Sequence, residues 1–533
     1  MVEKFYKYIK HVFGRENHMK SWLKNAVFYE IYPQSFNDTN ADGIGDIKGI
    51  IEKLDYIKDI GFTAIWMNPC VDSPFNDAGY DVRDYYQVAS RYGTHEDLRC
   101  LFDEVHKRNM HIILDLVPGH TSIECKWFQE SKKAERNDYT DRYIWTDSIW
   151  EDIKGVRGIS GSLRAISDRN GSCGVNYFSS QPALNYGFAE VTRNWQCAVY
   201  SEAALATRGE ILNIIRFWCK MGCDGFRVDM AGSLVKNDEG QKENIKLWQE
   251  IFAVVNKEFP DAAFVSEWGE PLKALRGGFD MDFLLHFGPS HYNDMFHSNN
   301  SYFNKEGKGS AKKFFEYYMN IYNEIKCNGL ICIPSGNHDM VRLAYYCDET
   351  QIKLVYAFLM SMPGVPFIYY GDEIGMRYLP GLKSVEGGYD RTGSRTPMQW
   401  NGSTNSGFST ADSNSLYIMQ DPDGDRPTVE KQIKDTNSIY NELKRQIAVR
   451  KSAEALQESA GFEIINDGYP LVYMRYTQES KVIVTINPMD KAISIDVGDI
   501  VIKNVIYSFN GEARLINGEI SVPPMSASYM LVE

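Results

Sequence analysis

The sequence predicts an α/β protein built on a (β/α)8 barrel, the TIM barrel, with a domain inserted after strand three and a C-terminal antiparallel β-sandwich. Short apolar runs alternate with amphipathic helical patterns about eight times along the chain, which is typical of βα units. Long irregular segments interrupt this alternation twice, and the last part of the chain changes to short alternating strands. Eight units favour a closed barrel over an open sheet.

Apolar runs of strand length are the candidate barrel strands. Between them, amphipathic stretches carry apolar side chains at helical spacing; residues 47–60 are an example, and Gly61 ends that stretch. The predicted strands span residues 26–32, 62–67, 111–117, 223–229, 262–268, 281–287, 330–335 and 365–371.

The same pattern divides the chain into parts. Residues 1–18 form an N-terminal extension that is compatible with an amphipathic helix. Residues 19–118 and 206–452 form the barrel, and residues 119–205, which contain loop segments rather than a clear βα unit, form the inserted domain. Residues 453–533 form the β-sandwich.

Composition limits the classes of partner. The 533 residues carry a formal net charge of −14, which argues against nucleic acid or an anionic membrane because those partners need fields of Lys and Arg. No apolar stretch approaches the roughly 18 residues of a transmembrane helix. The irregularly spaced cysteines and the absence of a signal-peptide core at the N-terminus predict a cytoplasmic protein with reduced thiols. The sequence does not indicate the oligomeric state.

Polar side chains recur at the carboxyl ends of the predicted strands, where barrel enzymes place their functional groups. Arg227 and Asp229 share one face of an otherwise apolar strand, and burying such a pair is costly unless something pairs or uses it. A single Asp at the end of a strand is readily explained as the N-cap of the next helix. Helix capping does not explain polar residues at the same end of several successive strands. We therefore expect these side chains to converge on one mouth of the barrel. They are Asp115, His120, Arg227, Asp229, Glu267, His338 and Asp339.

The chain contains four short motifs in this order: DLVPGH, GFRVD, SEW and GNHD. Together they resemble the α-amylase superfamily of glycoside hydrolases (family 13), and the resemblance covers nearly the whole chain from Trp22 onward. The segments GIGD at 43–46 and SRTPMQW at 394–400 look most like the oligo-1,6-glucosidase and α-glucosidase branch. Further matches are GYD, QPALN and GDEIGM.

The resemblance implies catalytic roles for three carboxylates. Asp229 is the expected nucleophile, Glu267 the expected general acid/base, and Asp339 the group that orients the sugar and stabilises the transition state. A retaining mechanism needs two carboxyls about 5–5.5 Å apart, one ionised and one protonated. Arg227 beside Asp229 is expected to keep Asp229 ionised. Glu267, without such an adjacent cation, is expected to have a raised pKa and to hold its proton.

The resemblance also implies a set of substrate-binding residues. Tyr80 is expected to stack on the terminal glucose, and His120 and His338 to hydrogen-bond its hydroxyls. Asp81 and Arg395 are expected to form an ion pair that grips the 4-hydroxyl and closes that end of the site. A closed end predicts exo action at the non-reducing end of short α-glucosides.

Residues 38–46, DTNADGIGD, predict a separate metal site. Oxygen ligands at alternate positions are what a hard cation such as Ca²⁺ prefers, and the loop resembles the structural Ca²⁺ loop of α-glucosidase relatives. The alternative is a polar turn held by Asx hydrogen bonds. The expected ligands of this structural ion are Asp38, Asn40, Asp42, the carbonyl of Ile44, and Asp46.

Three positions depart from the family pattern. Gly119 stands where relatives usually carry Asn, and Ala183 stands where Asp is usual. Gly119 therefore favours the 38–46 loop as the only metal site. Met230, after the expected nucleophile, matches neither the Val of α-1,6 enzymes nor the small residue of α-1,4 enzymes, so the linkage stays open.

These residues predict a retaining, exo-acting α-glucosidase that hydrolyses short malto- or isomalto-oligosaccharides. The alternative is a transglycosylase or isomerase of the same family, such as a trehalose synthase or a glucanotransferase. A third class consists of relatives that have lost catalysis and act as partner subunits of amino-acid transporters. That class is disfavoured because all three carboxylates are present and no membrane anchor is evident.

Overall fold

The structure is a computed structural model, and it describes residues 19–151, 153–325 and 329–533. The N-terminal extension, 1–18, with its expected helix, lies outside the described residues. Within the described ranges, eight parallel strands close into a barrel, and antiparallel sheets of five and three strands follow in the C-terminal part. The predicted fold class is therefore confirmed.

Strands occur along the whole described chain. Those of the barrel and of the segments between its strands are β1 (Phe28–Ile31), β2 (Ala64–Met67), β3 (Val71–Asp72), β4 (Asp84–Val88), β5 (His111–Leu116), β6 (Gly161–Leu163), β7 (Cys173–Val175), β8 (Gly225–Val228), β9 (Ala263–Ser266), β10 (Met281–Phe283), β11 (Leu330–Pro334) and β12 (Val365–Tyr369). Those of the C-terminal sheets are β13 (Gly461–Asn466), β14 (Leu471–Tyr476), β15 (Lys481–Asn487), β16 (Ile493–Asp496), β17 (Ile502–Phe509), β18 (Arg514–Ile516), β19 (Glu519–Val522) and β20 (Ser526–Val532).

Local signals begin several of the helices. Thr94 and Asp97 form a capping box at the start of the helix His95–Lys107, and Asp348 and Gln351 form another at the start of the helix Glu349–Ser361. The α-helices of the described residues are α1 (Ile47–Glu52), α2 (Leu54–Ile60), α3 (His95–Lys107), α4 (Lys126–Ser131), α5 (Glu202–Met221), α6 (Lys242–Glu258), α7 (Pro271–Arg276), α8 (Asn293–Phe296), α9 (Lys312–Ile325), α10 (Glu349–Ser361), α11 (Val429–Lys434) and α12 (Ile439–Ser452).

The barrel strands pair in the order β1, β2, β5, β8, β9, β10, β11, β12, and β12 closes onto β1. Alternate strand residues such as Phe28 and Ile113 belong to one buried apolar cluster. Because side chains alternate along a strand, Glu30 and Asp115, two residues further on, share the faces of Phe28 and Ile113. Arg227 lies beside Asp115 in register. The barrel interior is therefore apolar below and charged toward the carboxyl ends of its strands.

The segment between β5 and β8 contains the short helix α4 and the antiparallel pair β6–β7 before α5 returns the chain to the barrel. At the C-terminus, the sheet β13-β14-β15-β20-β17 and the sheet β16-β19-β18 share a separate apolar cluster that includes Val472, Ile520 and Met530.

None of the helices in the described ranges has both the length and the apolar character needed to cross a bilayer. The cytoplasmic location stays a prediction.

Candidate active site

A cavity of about 410 Å³ opens at the carboxyl ends of the barrel strands. It brings together five of the residues that the sequence singled out: Tyr80, His120, Asp229, Glu267 and Asp339. These side chains follow different strands, and they meet because parallel strands of a barrel present their carboxyl ends at one mouth. A cavity of this size is within the range of small-molecule sites.

Arg227 lies beneath the cavity with 2% of its side chain exposed. Its Nη1 lies 2.7 Å from Asp115 Oδ1 and 2.8 Å from Asp229 Oδ1, and its Nη2 lies 2.9 Å from Glu267 Oε2. The Met230 backbone N–H donates to Glu267 Oε2 as well, at 3.1 Å. Asp229 and Glu267 therefore face each other across the two terminal nitrogens of one guanidinium.

This arrangement corrects one expectation, since Glu267 does have an adjacent cation, and that cation is Arg227. Burial and the Glu267 carboxylate raise the pKa of Asp229 well above its usual range, although Arg227 opposes this shift. Burial raises the pKa of Asp115 in the same way. Three carboxyl groups share one positive charge, so a proton retained among them is favourable, and Arg227 does not select Asp229 as the ionised member.

Asp339 has three basic partners, His338, Arg391 and Arg395, which favour its ionised form. Its Oδ1 accepts hydrogen bonds from Arg391 Nη1 at 2.6 Å and from Arg395 Nη2 at 2.8 Å, and its Oδ2 lies 3.2 Å from His338 Nε2. Although burial opposes the shift, His338 and the two arginines hold the pKa of Asp339 well below its usual range.

The histidines are engaged by the protein rather than free. His338 is buried below Asp339 and does not line the cavity; its Nδ1 lies 2.9 Å from Glu30 Oε1. His120 lines the cavity, but its Nε2 lies 3.1 Å from the Tyr80 carbonyl. Burial lowers the pKa of His120 to about 4, so this ring is neutral at pH 7.

The expected ion pair between Asp81 and Arg395 is wrong. The Asp81 carboxylate accepts from Ser73 Oγ and from the backbone N–H groups of Asn76 and Asp77, at 2.9 to 3.0 Å. It therefore folds back onto its own loop, as short Asp side chains do where backbone donors are near. Arg395 is 1% exposed, and its Nε donates to the His338 carbonyl at 2.8 Å. Neither Asp81 nor Arg395 lines the cavity.

Asp77 and Arg391 occupy the end of the cavity instead. Arg391 Nη2 lies 3.6 Å from Asp77 Oδ1, while Nη1 binds Asp339, so Arg391 bridges two carboxylates. Gln181 Nε2 donates to Asp77 Oδ2 at 2.7 Å. Burial raises the pKa of Asp77 to about 6, against the effect of Arg395 and Arg391.

Sequence reasoning missed these residues although weak signals were present. Asp77 lies three residues before Tyr80, Arg391 lies one helical turn before Arg395, and Gln181 begins the quoted QPALN segment. Glu30 occupies the same strand face as Phe28 at the carboxyl end of β1. Met230, which the sequence had singled out for linkage preference, lines the cavity as well. Further lining residues that were not expected there are Gln241, Trp268, Tyr177, His286 and Phe287.

The 38–46 loop is held by its own hydrogen bonds. Asp38 Oδ1 accepts from the Asn40 and Ala41 N–H groups, Asp42 Oδ1 accepts from Ile44, and Asp46 Oδ1 caps α1 through the Gly49 N–H. This is the Asx pattern of the alternative reading. In the part of the chain that the structure describes, no group of three or more His, Cys, Asp or Glu side chains is arranged to hold a metal. Calcium binding by Asp38, Asn40, Asp42, Ile44 and Asp46 stays a prediction.

A barrel with paired carboxyl groups in a cavity at its strand ends is the arrangement on which glycoside hydrolases with two catalytic carboxylates are built. Residues 30–459 match the alpha-amylase family model, described as the alpha amylase catalytic domain. The chain belongs to this family.

Individual relatives in the comparison carry names of different enzymes. The chain is 31% identical over 563 residues to the oligo-1,6-glucosidase of Heyndrickxia coagulans, covering 90% of this chain and 94% of that protein. It is 30% identical over 490 residues to the trehalose synthase/amylase TreS of Mycolicibacterium smegmatis, covering 82% and 77%. The solved structure of an inactive double mutant of MutB, the trehalulose synthase of Pseudomonas mesoacidophila, in complex with isomaltulose, has a TM-score of 0.82 at 25% identity and covers 97% of this chain and 100% of that chain. The relatives thus include a glucosidase and two sugar synthases.

Proposed function

We propose that the protein is a retaining, exo-acting α-glucosidase that hydrolyses short malto- or isomalto-oligosaccharides from the non-reducing end. One observation carries the proposal: Asp229 and Glu267 line one cavity and bind the same guanidinium beneath it, that of Arg227. Similarity to an oligo-1,6-glucosidase over nearly the whole chain supports it.

The proposed reaction uses the two carboxyls in turn. Asp229 attacks the anomeric carbon while Glu267 gives its proton to the glycosidic oxygen, and the bond to the leaving sugar breaks. Water then attacks the glycosyl-enzyme, with Glu267 as the base that takes its proton. The raised pKa of Asp229 favours a proton on this pair of carboxyls, and the proposed reaction requires that proton to lie on Glu267 when Asp229 attacks. A sugar bound against Asp229 favours a proton on Glu267, because the ionised Asp229 oxygen then faces the positive charge that develops at the anomeric carbon.

The exo preference follows from the proposed position of the terminal sugar. In the proposed position the terminal ring lies beside Asp339, and the bridge from Arg391 to Asp77 and Asp339 would stop a longer chain from extending past that ring. Charge-assisted hydrogen bonds that the Asp77 carboxylate accepts and the Arg391 guanidinium donates are strong and directional, so they suit the hydroxyls of a non-reducing end.

The second candidate is a transglycosylase or isomerase with the same first step and a sugar acceptor in place of water. The TreS and MutB relatives favour it as directly as the glucosidase favours hydrolysis. The cavity rim also carries Trp268, Tyr177 and Phe287, and the last two are 57% and 46% exposed. Aromatic faces of this kind can hold an acceptor sugar and exclude water.

Product analysis separates the two candidates. The protein is incubated with maltose, isomaltose, trehalose, sucrose, panose and longer dextrins, with Asp229→Asn as the blank, and products are followed by chromatography and proton NMR. Hydrolysis predicts glucose released first as the α-anomer. A rearranged disaccharide or transfer products with little free glucose would favour the second candidate. Release of β-glucose would contradict retention for both.

We also propose that the 38–46 loop binds a structural Ca²⁺ remote from the chemistry, because alternating side-chain oxygens suit a hard cation. Chelation by EDTA is expected to lower the melting temperature more than the activity at room temperature, and added Ca²⁺ is expected to restore it. Asp42→Ser should shrink the EDTA effect. An unchanged melting temperature in EDTA would remove the metal from the proposal.

A further inference from the structure

Glu30, at the end of β1, lies behind the cavity and contacts His338 from the side opposite to Asp339. Glu30 Oε1 lies 2.9 Å from His338 Nδ1, and His338 Nε2 lies 3.2 Å from Asp339 Oδ2. Glu30 and His338 are 0% and 1% exposed. The three side chains form a buried row of carboxylate, imidazole and carboxylate that ends at the cavity.

The hydrogen-bond chemistry of this row limits its protonation. An ionised carboxylate only accepts, and a neutral imidazole donates from only one nitrogen. Asp339 is held ionised by Arg391 and Arg395. If Glu30 is ionised as well, His338 must donate from both nitrogens and is therefore an imidazolium. If Glu30 is protonated, it donates to Nδ1 and His338 stays neutral.

The charges around His338 favour the first state. Its own burial lowers the pKa of the ring, but Asp339 and then Glu30 outweigh burial and raise it to about 9. Burial raises the pKa of Glu30, and His338 and Arg227 oppose that shift. Other titratable or charged groups also face this pair. They are Asp115 of β5, Tyr369 of β12, Tyr32, Tyr80, His286, Tyr292 and Arg395.

The second oxygen of Glu30 has no hydrogen-bond partner. A buried carboxylate with an unpartnered oxygen is costly, and a glutamine of the same shape would reach His338 without burying a charge. The cost is offset only if the negative charge itself acts on a neighbour. His338 is the titratable group in contact with Glu30, and the Asn68 amide, 3.1 Å from His338 Nδ1, is neutral.

We propose that Glu30 is a positioning residue whose negative charge keeps both nitrogens of His338 protonated and thereby fixes Asp339 for the sugar. The proposal rests on the proposed function for the role of Asp339, but the protonation of His338 can be measured without turnover.

The test compares wild type, Glu30→Gln and Glu373→Gln. Glu373 is an equally buried glutamate that accepts from Tyr29 and Tyr56 and does not line the cavity, so its variant is a matched control for burial. Histidine labelled with ¹³C at Cε1 reports ring protonation by NMR between pH 5 and 10 in the intact protein, and the His338 signal is identified by its loss in His338→Gln.

Glu30→Gln is expected to lower the pKa of His338 by about 1 to 3 pH units, which is the effect of losing an opposite charge in contact. Glu373→Gln is expected to leave it unchanged. In Glu30→Gln alone, kcat/KM on an aryl α-glucoside should gain a decline as the pH rises through the lowered pKa of His338, because a neutral His338 no longer fixes Asp339. An unchanged His338 titration in folded Glu30→Gln would overturn the proposal. If Glu30→Gln lowers the pKa of His338 as expected but the wild-type protein has no α-glucosidase activity, the proposed function is contradicted and the role of Glu30 is not.

Discussion

Two sets of buried arginines serve different ends in this protein. Arg227 and Arg395 lie beneath the cavity and bind carboxylates. Arg450 and Arg475 lie between the barrel and the C-terminal sheets and bind backbone carbonyls instead. All four are at most 2% exposed. What differs is the partner, and the partner decides what the buried charge does.

At the junction, the arginines serve as hydrogen-bond donors to the end of α10 and the turns that follow it. Arg450 donates to the carbonyls of Met360, Met362 and Gly364, and Arg475 donates to Ser361 among others. The last carbonyls of a helix have no partner within the helix and carry its negative dipole end, so a cationic donor suits them.

The pKa values follow the same division. Burial lowers the pKa of Arg450 to about 9 and that of Arg475 to about 10, since carbonyls do not replace a counter-charge. Burial also opposes the charge of Arg227, but Asp115 and Glu267 outweigh burial and raise the pKa of Arg227 well above its usual range. An arginine with carboxylate partners stays charged and can act on groups in the cavity. An arginine with carbonyl partners contributes several directed hydrogen bonds that join two parts of the fold.

The largest effect is expected on the cavity side. Asp229→Asn should lower kcat by about 10⁴-fold, because it removes the nucleophile. The melting temperature should stay equal or rise, because one of three carboxyls on a single guanidinium is neutralised. Asp224→Asn, at the other end of β8, is the control and should affect stability but not kcat. Steady-state kinetics measure kcat, and thermal melting measures stability. A near-normal kcat in Asp229→Asn would show that Asp229 is not the nucleophile.

The junction should respond in the opposite way. Arg475→Met is expected to lower the free energy of unfolding by about 3 to 5 kcal/mol, because it leaves several buried carbonyls without donors. Below its melting temperature the variant should keep the wild-type kcat/KM. Urea unfolding measures the first quantity, and Arg514→Met, an exposed position on the C-terminal sheet, is the control. A lowered kcat/KM in folded Arg475→Met would contradict the claim that the junction arginines act only on stability.

His338 links the cavity charges to stability. Its pKa of about 9 in the folded protein exceeds its ordinary value of 6.5, so its contribution is fully present below pH 6.5 and is lost as the pH rises through 9. The contribution is up to about 3 kcal/mol. Urea unfolding at several pH values should therefore show a decline between pH 6.5 and 9 that His338→Gln removes. Parallel declines in both proteins would contradict this linkage.

The smallest effects are expected at the end of the cavity. Asp77→Ala should reduce kcat/KM on disaccharides about 10- to 100-fold and weaken the preference for short chains, because Arg391 loses one of its two carboxylates. Asp81→Ala should cost about 1 to 2 kcal/mol of stability instead, since Asp81 only holds its own loop. Measuring kcat/KM on substrates of increasing chain length tests both expectations. Equal changes in chain-length preference in Asp77→Ala and Asp81→Ala would support Asp81 as a substrate-binding residue after all.

The strands were predictable because their signal is local. Each barrel strand lies within its predicted run, and the polar residues at the ends of the strands do gather at one mouth. The run 281–287 shows the limit, because β10 ends at Phe283 and Phe287 lines the cavity instead. An apolar side chain on the rim of a cavity and one in a core have the same sequence pattern.

The sequence by itself determined the barrel, the order of its parts and the carboxylates at its mouth, because hydrophobic period and turn residues act over short stretches of chain. Only the tertiary structure decided which charges meet. Glu30 reaches His338 across 308 positions of sequence, Arg227 serves Glu267 as well as Asp229, and Asp77 rather than Asp81 faces Arg391. These pairings depend on barrel closure and on the direction in which each loop turns its side chains, and neither is encoded in the spacing of residues along the chain.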